Sequence, residues 1–283
     1  MPGATSPAHE LCSSAFMSFW MNTIGVEVAL LQPLLSRLAG QDVDGTSLLL
    51  TLLFLHLCVF FSPAYASLSR GACNNPTVYF LFYLTGEVAP GAAVVGVACV
   101  VLGTIAGTFA YAQTLERVIH PFAFPEQTLA SVPGKISAVV PAGGAFKGAA
   151  AEAGVAFANF VFAGVAQRFA GHMAPYAGAF FYVITVVLEK CAYSCGFMNP
   201  AVVLATHVVD GDLFDGGWRG ESLAHVGTYF CGAALGAAAT AAFSKALGGG
   251  AAEKEAKTRE GEKKGGAKAK AKGAKEKEKK KEL

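Results

Sequence analysis

Apolar runs some twenty residues long, separated by short polar or Gly/Pro clusters, set the rhythm of this chain. Six of them cover about residues 11–35, 48–69, 88–112, 147–169, 174–191 and 222–245. Each approaches the ~20 residues an α-helix needs to cross a hydrocarbon layer. Gly, Ala and Ser fill their interiors, which lets membrane helices approach closely. Gly103 and Gly107 stand four apart, as do Gly232 and Gly236. The pattern predicts an all-α membrane protein with six transmembrane helices. The stretch 113–146, with four prolines, reads as an extended surface loop.

Two shorter interruptions resemble each other. Cys73-Asn74-Asn75-Pro76-Thr77-Val78 lies between the second and third runs, and Phe197-Met198-Asn199-Pro200-Ala201-Val202 between the fifth and sixth. Asn is a good helix N-cap and Pro a preferred first helical residue, so each motif predicts a short helix, over 76–84 and 200–209. Neither is long enough to cross a bilayer. Irregular backbone at membrane depth is tolerated only where it is buried in protein or lines a water-filled cavity. Paired interrupted segments in corresponding places of two halves point to a transport site at an inverted-repeat interface.

Composition sharpens this picture. Mean hydropathy is +0.45, 53% of residues are hydrophobic and 15% charged, which is too apolar for a soluble domain of 283 residues. Residues 1–244 carry 8 Lys/Arg against 13 Asp/Glu, and residues 245–283 carry 14 against 7. The chain therefore divides into a membrane domain, 1–245, and a Lys/Glu-rich tail, 246–283, whose composition predicts disorder. Body loops alone run against the positive-inside rule: Arg70 and Arg168 on the side of the termini face Arg37, Arg117, Lys135, Lys147, Lys190 and Arg219. The basic tail outweighs them and places itself in the cytosol. Its end, Lys280-Lys281-Glu282-Leu283, resembles a dilysine endoplasmic-reticulum retrieval signal, although so Lys-rich a tail supplies that pattern by chance as well. An internal membrane is thus favoured over the plasma membrane. Residues 1–10 lack Lys and Arg, so no cleavable signal peptide is evident.

Two carboxylates recur once per half: Glu10 at the start of the first span and Glu152 at the start of the fourth. Each is either a helix-end Glu at headgroup level or a buried acceptor for the folded loop of its own half. The paired occurrence favours the second, because a carboxylate inside a membrane helix is costly and marks function by default. Seven cysteines sit in apolar segments without disulfide or metal spacing and read as small packing residues. His9, His56, His120, His172, His207 and His225 show no ligand spacing, and no nucleophile triad or phosphate loop stands out. An enzyme, a metal, another cofactor and a nucleic-acid partner are not expected.

Six spans, two Asn-Pro motifs and paired Glu together resemble the aquaporin (major intrinsic protein) family over about residues 8–245. Asn199-Pro200-Ala201 matches the family box, whereas Asn75-Pro76-Thr77 carries Thr in third place. That departure and the Lys-rich tail look more like the unorthodox small basic intrinsic proteins and superaquaporins. The resemblance implies six transmembrane helices plus two re-entrant half-helices in an inverted repeat, and a homotetramer in the lipid bilayer with one pore per subunit. It implies a passive channel for water and other small neutral solutes such as glycerol or hydrogen peroxide, with Asn75 and Asn199 orienting permeant molecules. The family's second constriction maps onto Leu55 or His56, Val187, Gly196 and Val202. Val202 stands where the family usually has Arg, which predicts a wider, more apolar filter. His56 lines that pore or packs between helices on a backbone group. A secondary transporter and a non-conducting structural protein of an internal membrane are the other readings. The first is disfavoured because the motif regions carry no ionisable group.

Overall fold

Polar caps and prolines decide where the helices of this chain begin. The computed structural model describes residues 5–136, 144–189, 198–210 and 220–247. Gly196, Lys190, Cys191, Cys195 and the tail with its terminal lysines lie outside the described residues. Two compact units are distinguished, Met1–Thr240 and Ala241–Leu283, and the contacts given below belong to the first.

Helix α1 (Pro7–Asn22) starts at Ser6, whose hydroxyl accepts from His9 N, with Pro7 in the first turn. At Thr23 the chain breaks lightly and resumes as α2 (Ile24–Ala39), which ends on left-handed Gly40. Asp44 caps α3 (Gly45–Phe60) by accepting from Ser47 N at 2.8 Å. The Ser47 hydroxyl, and then that N–H, hold the exposed Asp44 carboxyl below its usual range. Ser62 and Pro63 then start the short α4 (Pro63–Leu68). Asn75-Pro76 opens α5 (Pro76–Thr85), which stops at left-handed Gly86. Helix α6 (Pro90–Thr114) continues through a π-helical turn (Leu115–Ile119) into α7 (His120–Ala123). Next come α8 (Gly144–Phe169), α9 (Ala174–Glu189), α10 (Pro200–Asp210) and α11 (Gly220–Ala246). Among the described residues there is no strand.

Among the described residues five segments are long and apolar enough to cross a membrane: Pro7–Ala39, Pro90–Ala123, Gly144–Phe169, Gly171–Leu188 and Ser222–Ala246. The chain is thus an α-helical protein of membrane-spanning character. The run expected as the second span, 48–69, is divided instead. Its Ser62-Pro63 pair ends α3 after 16 residues, about 24 Å of helix. The expected loop at 113–146 also differs. Its first part is helical to Ala123, and Phe124, Val132 and Ile136 fold back against Val26 and Tyr111. The Tyr111 hydroxyl donates to Gly134 O at 2.9 Å and fixes that return. Proline spacing alone does not show such a return, because the apolar residues that anchor it are single and widely spaced.

Helix α1 lies along α6, and α5 and α10 both pack on α6. Helices α8 and α9 pair, with Phe162 and Phe181 stacked at 4.2 Å between ring centroids. Helix α3 meets α9 through Phe54 and Phe180, edge to face at 6.2 Å. Outward-facing residues are apolar, as at Leu102 (59% exposed), Phe109 (56%), Phe180 (58%) and Leu188 (78%), a surface suited to acyl chains.

Glycines set the closest approaches. A Cβ on Gly103 would overlap the carbonyl oxygen of Leu11 and press on Ser14 Cβ and Ala15 N. A Cβ on Gly236 would press on Ala153 O, Ala156 Cβ and Phe157 N. Those residues lie one, four and five positions after Glu10 and after Glu152 respectively, so α6 docks on α1 in the register with which α11 docks on α8. Ala is a better helix former than Gly by about 1 kcal/mol. Gly91→Ala, which meets nothing within 4 Å, should therefore raise the unfolding midpoint in detergent slightly. Gly103→Ala should lower it, since forcing a methyl into a filled site costs about 1–3 kcal/mol. A rise for both would refute this α1–α6 approach.

Candidate functional site at the two Asn-Pro turns

Each Asn-Pro motif folds into the same local unit. The Asn75 side-chain oxygen accepts from Thr77 N at 2.9 Å, and its main-chain oxygen from Val78 N at 3.2 Å. Asn199 repeats this with Ala201 N at 3.2 Å and Val202 N at 3.1 Å. Proline at the first helical position lacks an N–H, so these two bonds take up the next donors of the helix start. The residue before each Asn is left-handed, Asn74 at φ 54° and Met198 at φ 48°. Asn tolerates such a conformation, whereas Met seldom adopts it and needs surrounding bonds to hold it.

Those bonds come from the paired carboxylates. Glu10, 1% exposed, accepts from Cys73 N at 3.0 Å, from Asn74 N at 2.8 Å and from the Tyr79 hydroxyl at 2.6 Å. Glu152, fully buried, accepts from Met198 N at 2.9 Å. A carboxylate only accepts, so donors converging on its oxygens are the arrangement that makes its burial tolerable. Ser14 adds a bond to the Asn74 side-chain oxygen at 3.2 Å.

The two turns then clasp each other. Asn75 Nδ2 donates to Met198 O at 3.0 Å, and Asn199 Nδ2 donates to Asn74 O at 2.9 Å. Each amide thus bonds the residue that precedes the other amide. The starts of α5 and α10 consequently meet, bringing together Asn75, Pro76, Thr77, Asn199, Pro200 and Ala201. Thr77 is not idle in third place, since its hydroxyl also donates to Met198 O at 3.4 Å. One amide hydrogen of each Asn is committed in the clasp, and its second has no partner among the described residues.

The other expected positions are more scattered. His56 is buried on α3, with Nδ1 2.9 Å from Leu52 O and its ring 4.7 Å from that of Trp20. That is the packing arrangement on a backbone group. Leu55 is half exposed at 51%. Val187 on α9 and Val202 on α10 are half-buried, and Gly196 is outside the described residues.

Sequence spacing missed two polar groups. His207 on α10 and His225 on α11 approach at 2.7 Å between Nε2 and Nδ1, both buried. Glu27, half-buried on α2, accepts from the Thr23 hydroxyl at 2.6 Å. A pair of histidines 18 positions apart has no short-range signature, but a Glu in the middle of an apolar run is visible in the sequence and is informative by itself. No group of three or more potential metal ligands exists among the described residues.

Removing charge from the carboxylate tests the scaffold. Gln in place of Glu10 turns an NH₂ toward a backbone N–H, so Glu10→Gln should destabilise the protein by about 1–3 kcal/mol. Tyr79→Phe removes a single donor and should cost less. Unfolding midpoints in detergent decide the order. No protein-family model matches the chain, and no curated protein matches it.

Proposed function

We propose that the chain is an aquaporin-like passive channel for water and other small neutral solutes, with its narrowest point at the Asn75–Asn199 clasp. The observation that carries this reading is the reciprocal amide–carbonyl pair, which sets two helix starts against each other. Each helix N-terminus bears about half a positive charge. Two such ends and two remaining amide hydrogens favour a permeant oxygen that accepts, and disfavour cations.

Lengths support the same reading. Helix α5 has 10 residues and α10 has 11, together about 31 Å of helix, close to the hydrocarbon thickness. On this view they are re-entrant halves that meet at the midplane, and α3 with α4 completes a sixth crossing. Val202 in place of a cation leaves a wider filter that admits solutes such as glycerol. An assembly of four such chains, a cytosolic tail and an endoplasmic-reticulum membrane complete the proposal.

Stopped-flow light scattering on proteoliposomes tests it. Wild type should shrink at least fivefold faster than empty vesicles under an impermeant osmolyte. Glycerol should then re-equilibrate quickly. Asn199→Asp adds a charge at the clasp and replaces a donor by an acceptor, and should remove most of that rate. Folded wild type no faster than empty vesicles would defeat the channel reading and favour a structural protein.

A further inference from the structure

Glu27 and His56 form a second polar station, 17 residues along the chain from Glu10, or about 25 Å of helix. Glu27 precedes the end of α2 by 12 residues and His56 follows the start of α3 by 11, roughly 16–18 Å from the turn between them. Their surroundings are apolar: Ile24, Val28 and Leu31 of α1–α2 pack on Leu48 and Leu52 of α3.

Counting hydrogens defines what this station holds. The Leu52 carbonyl only accepts, so the hydrogen in its 2.9 Å contact belongs to His56 Nδ1. In the neutral ring His56 Nε2 is then a bare acceptor. It lies 3.3 Å from Glu27 Oε1, close but not aligned as a finished hydrogen bond. Thr23 has one hydroxyl hydrogen and two acceptors at 2.6 Å, Trp20 O and Glu27 Oε1. Trp20 O, Thr23 Oγ1, Glu27 Oε1 and His56 Nε2 therefore form a row with three contacts and a single resident hydrogen.

We propose that Glu27 and His56 are a proton-binding site, which takes one proton from water and shares it between Oε1 and Nε2. Bound to Glu27, that proton satisfies Thr23 or His56; bound to His56, it makes an imidazolium that the Glu27 carboxylate and the face of Trp20 both stabilise. The Glu27 side chain is 31% exposed. A carboxylate edge against acyl chains is costly unless water reaches it. Among the described residues Tyr111 of α6, whose hydroxyl is committed to Gly134 O, lies within electrostatic reach of Glu27; exposed Lys135 follows Gly134 in the returning loop, and Arg37 stands ten residues further along α2.

Two measurements test this, and only the second rests on the channel reading. In ¹⁵N-histidine-labelled protein, His56 should show a protonated Nδ1 and an Nε2 shift between the bare and protonated extremes. Glu27→Gln, whose amide bonds Thr23 without a titratable proton, should move Nε2 to the bare extreme. In proteoliposomes, wild-type water permeability should differ at least threefold between pH 5.5 and 7.5, and the ratio should fall to near one in Glu27→Gln and in His56→Gln. A bare Nε2 in the folded wild type, or a shift that Glu27→Gln leaves unchanged, overturns the proposal even if no vesicle conducts. Equal pH ratios in wild type and both variants, with measurable flux, overturn its role in permeation.

Discussion

Two left-handed residues, Asn74 and Met198, hold the centre of this protein in a conformation that Asn tolerates and Met does not favour. The strain is acceptable because each N–H points at a buried carboxylate oxygen and each carbonyl at the other turn's amide. Remove the carboxylates and the N–H groups are buried without acceptors. Remove the amides and the carbonyls lose their donors. Satisfying every backbone group is the dominant requirement away from water, and here it links four distant parts of the chain: α1, α5, α8 and α10.

Around that centre, packing follows from size rather than polarity. In lipid no hydrophobic force drives helices together, so close approach and its dispersion energy must do so. Gly103 and Gly236 permit that approach in the same register relative to Glu10 and Glu152. The carboxylate side of each first helix is thereby pressed against its partner, which keeps lipid and bulk water from the loops. Apolar side chains of full size are left for the outer surface, where acyl chains pack against them.

Much of this was legible beforehand. Residue-type rules place the caps and prolines of α5 and α10 within one residue of where those helices end. The carboxylate pair could be suspected because Glu10 and Glu152 are costly where they stand. Register was harder. Gly103 and Gly107 look equivalent to Gly232 and Gly236 in order, yet contacts pair Gly103 with Gly236, one helical turn away from that match. Hydropathy also joined α3 to α4, because Ser62 and Pro63 hardly lower the average of so apolar a run although they end the helix. Long-range bonds leave no local trace. Nothing near Thr77 shows that its hydroxyl finds Met198, and nothing near Glu27 shows that His56 lies opposite.

The clasp has a consequence for how such a chain is made. Asn75 finds its carbonyl 123 residues later in the sequence, and Asn199 bonds back across 125. The turn at Glu10 closes early in synthesis, with its own acceptor and donors all present by residue 79. Its amide hydrogens then wait through the emergence of α6, α8 and α9 before α10 arrives. A nascent first half therefore lacks the carbonyl for its Asn75 amide, while Ser14 and Tyr79 can already bond the turn from its own side.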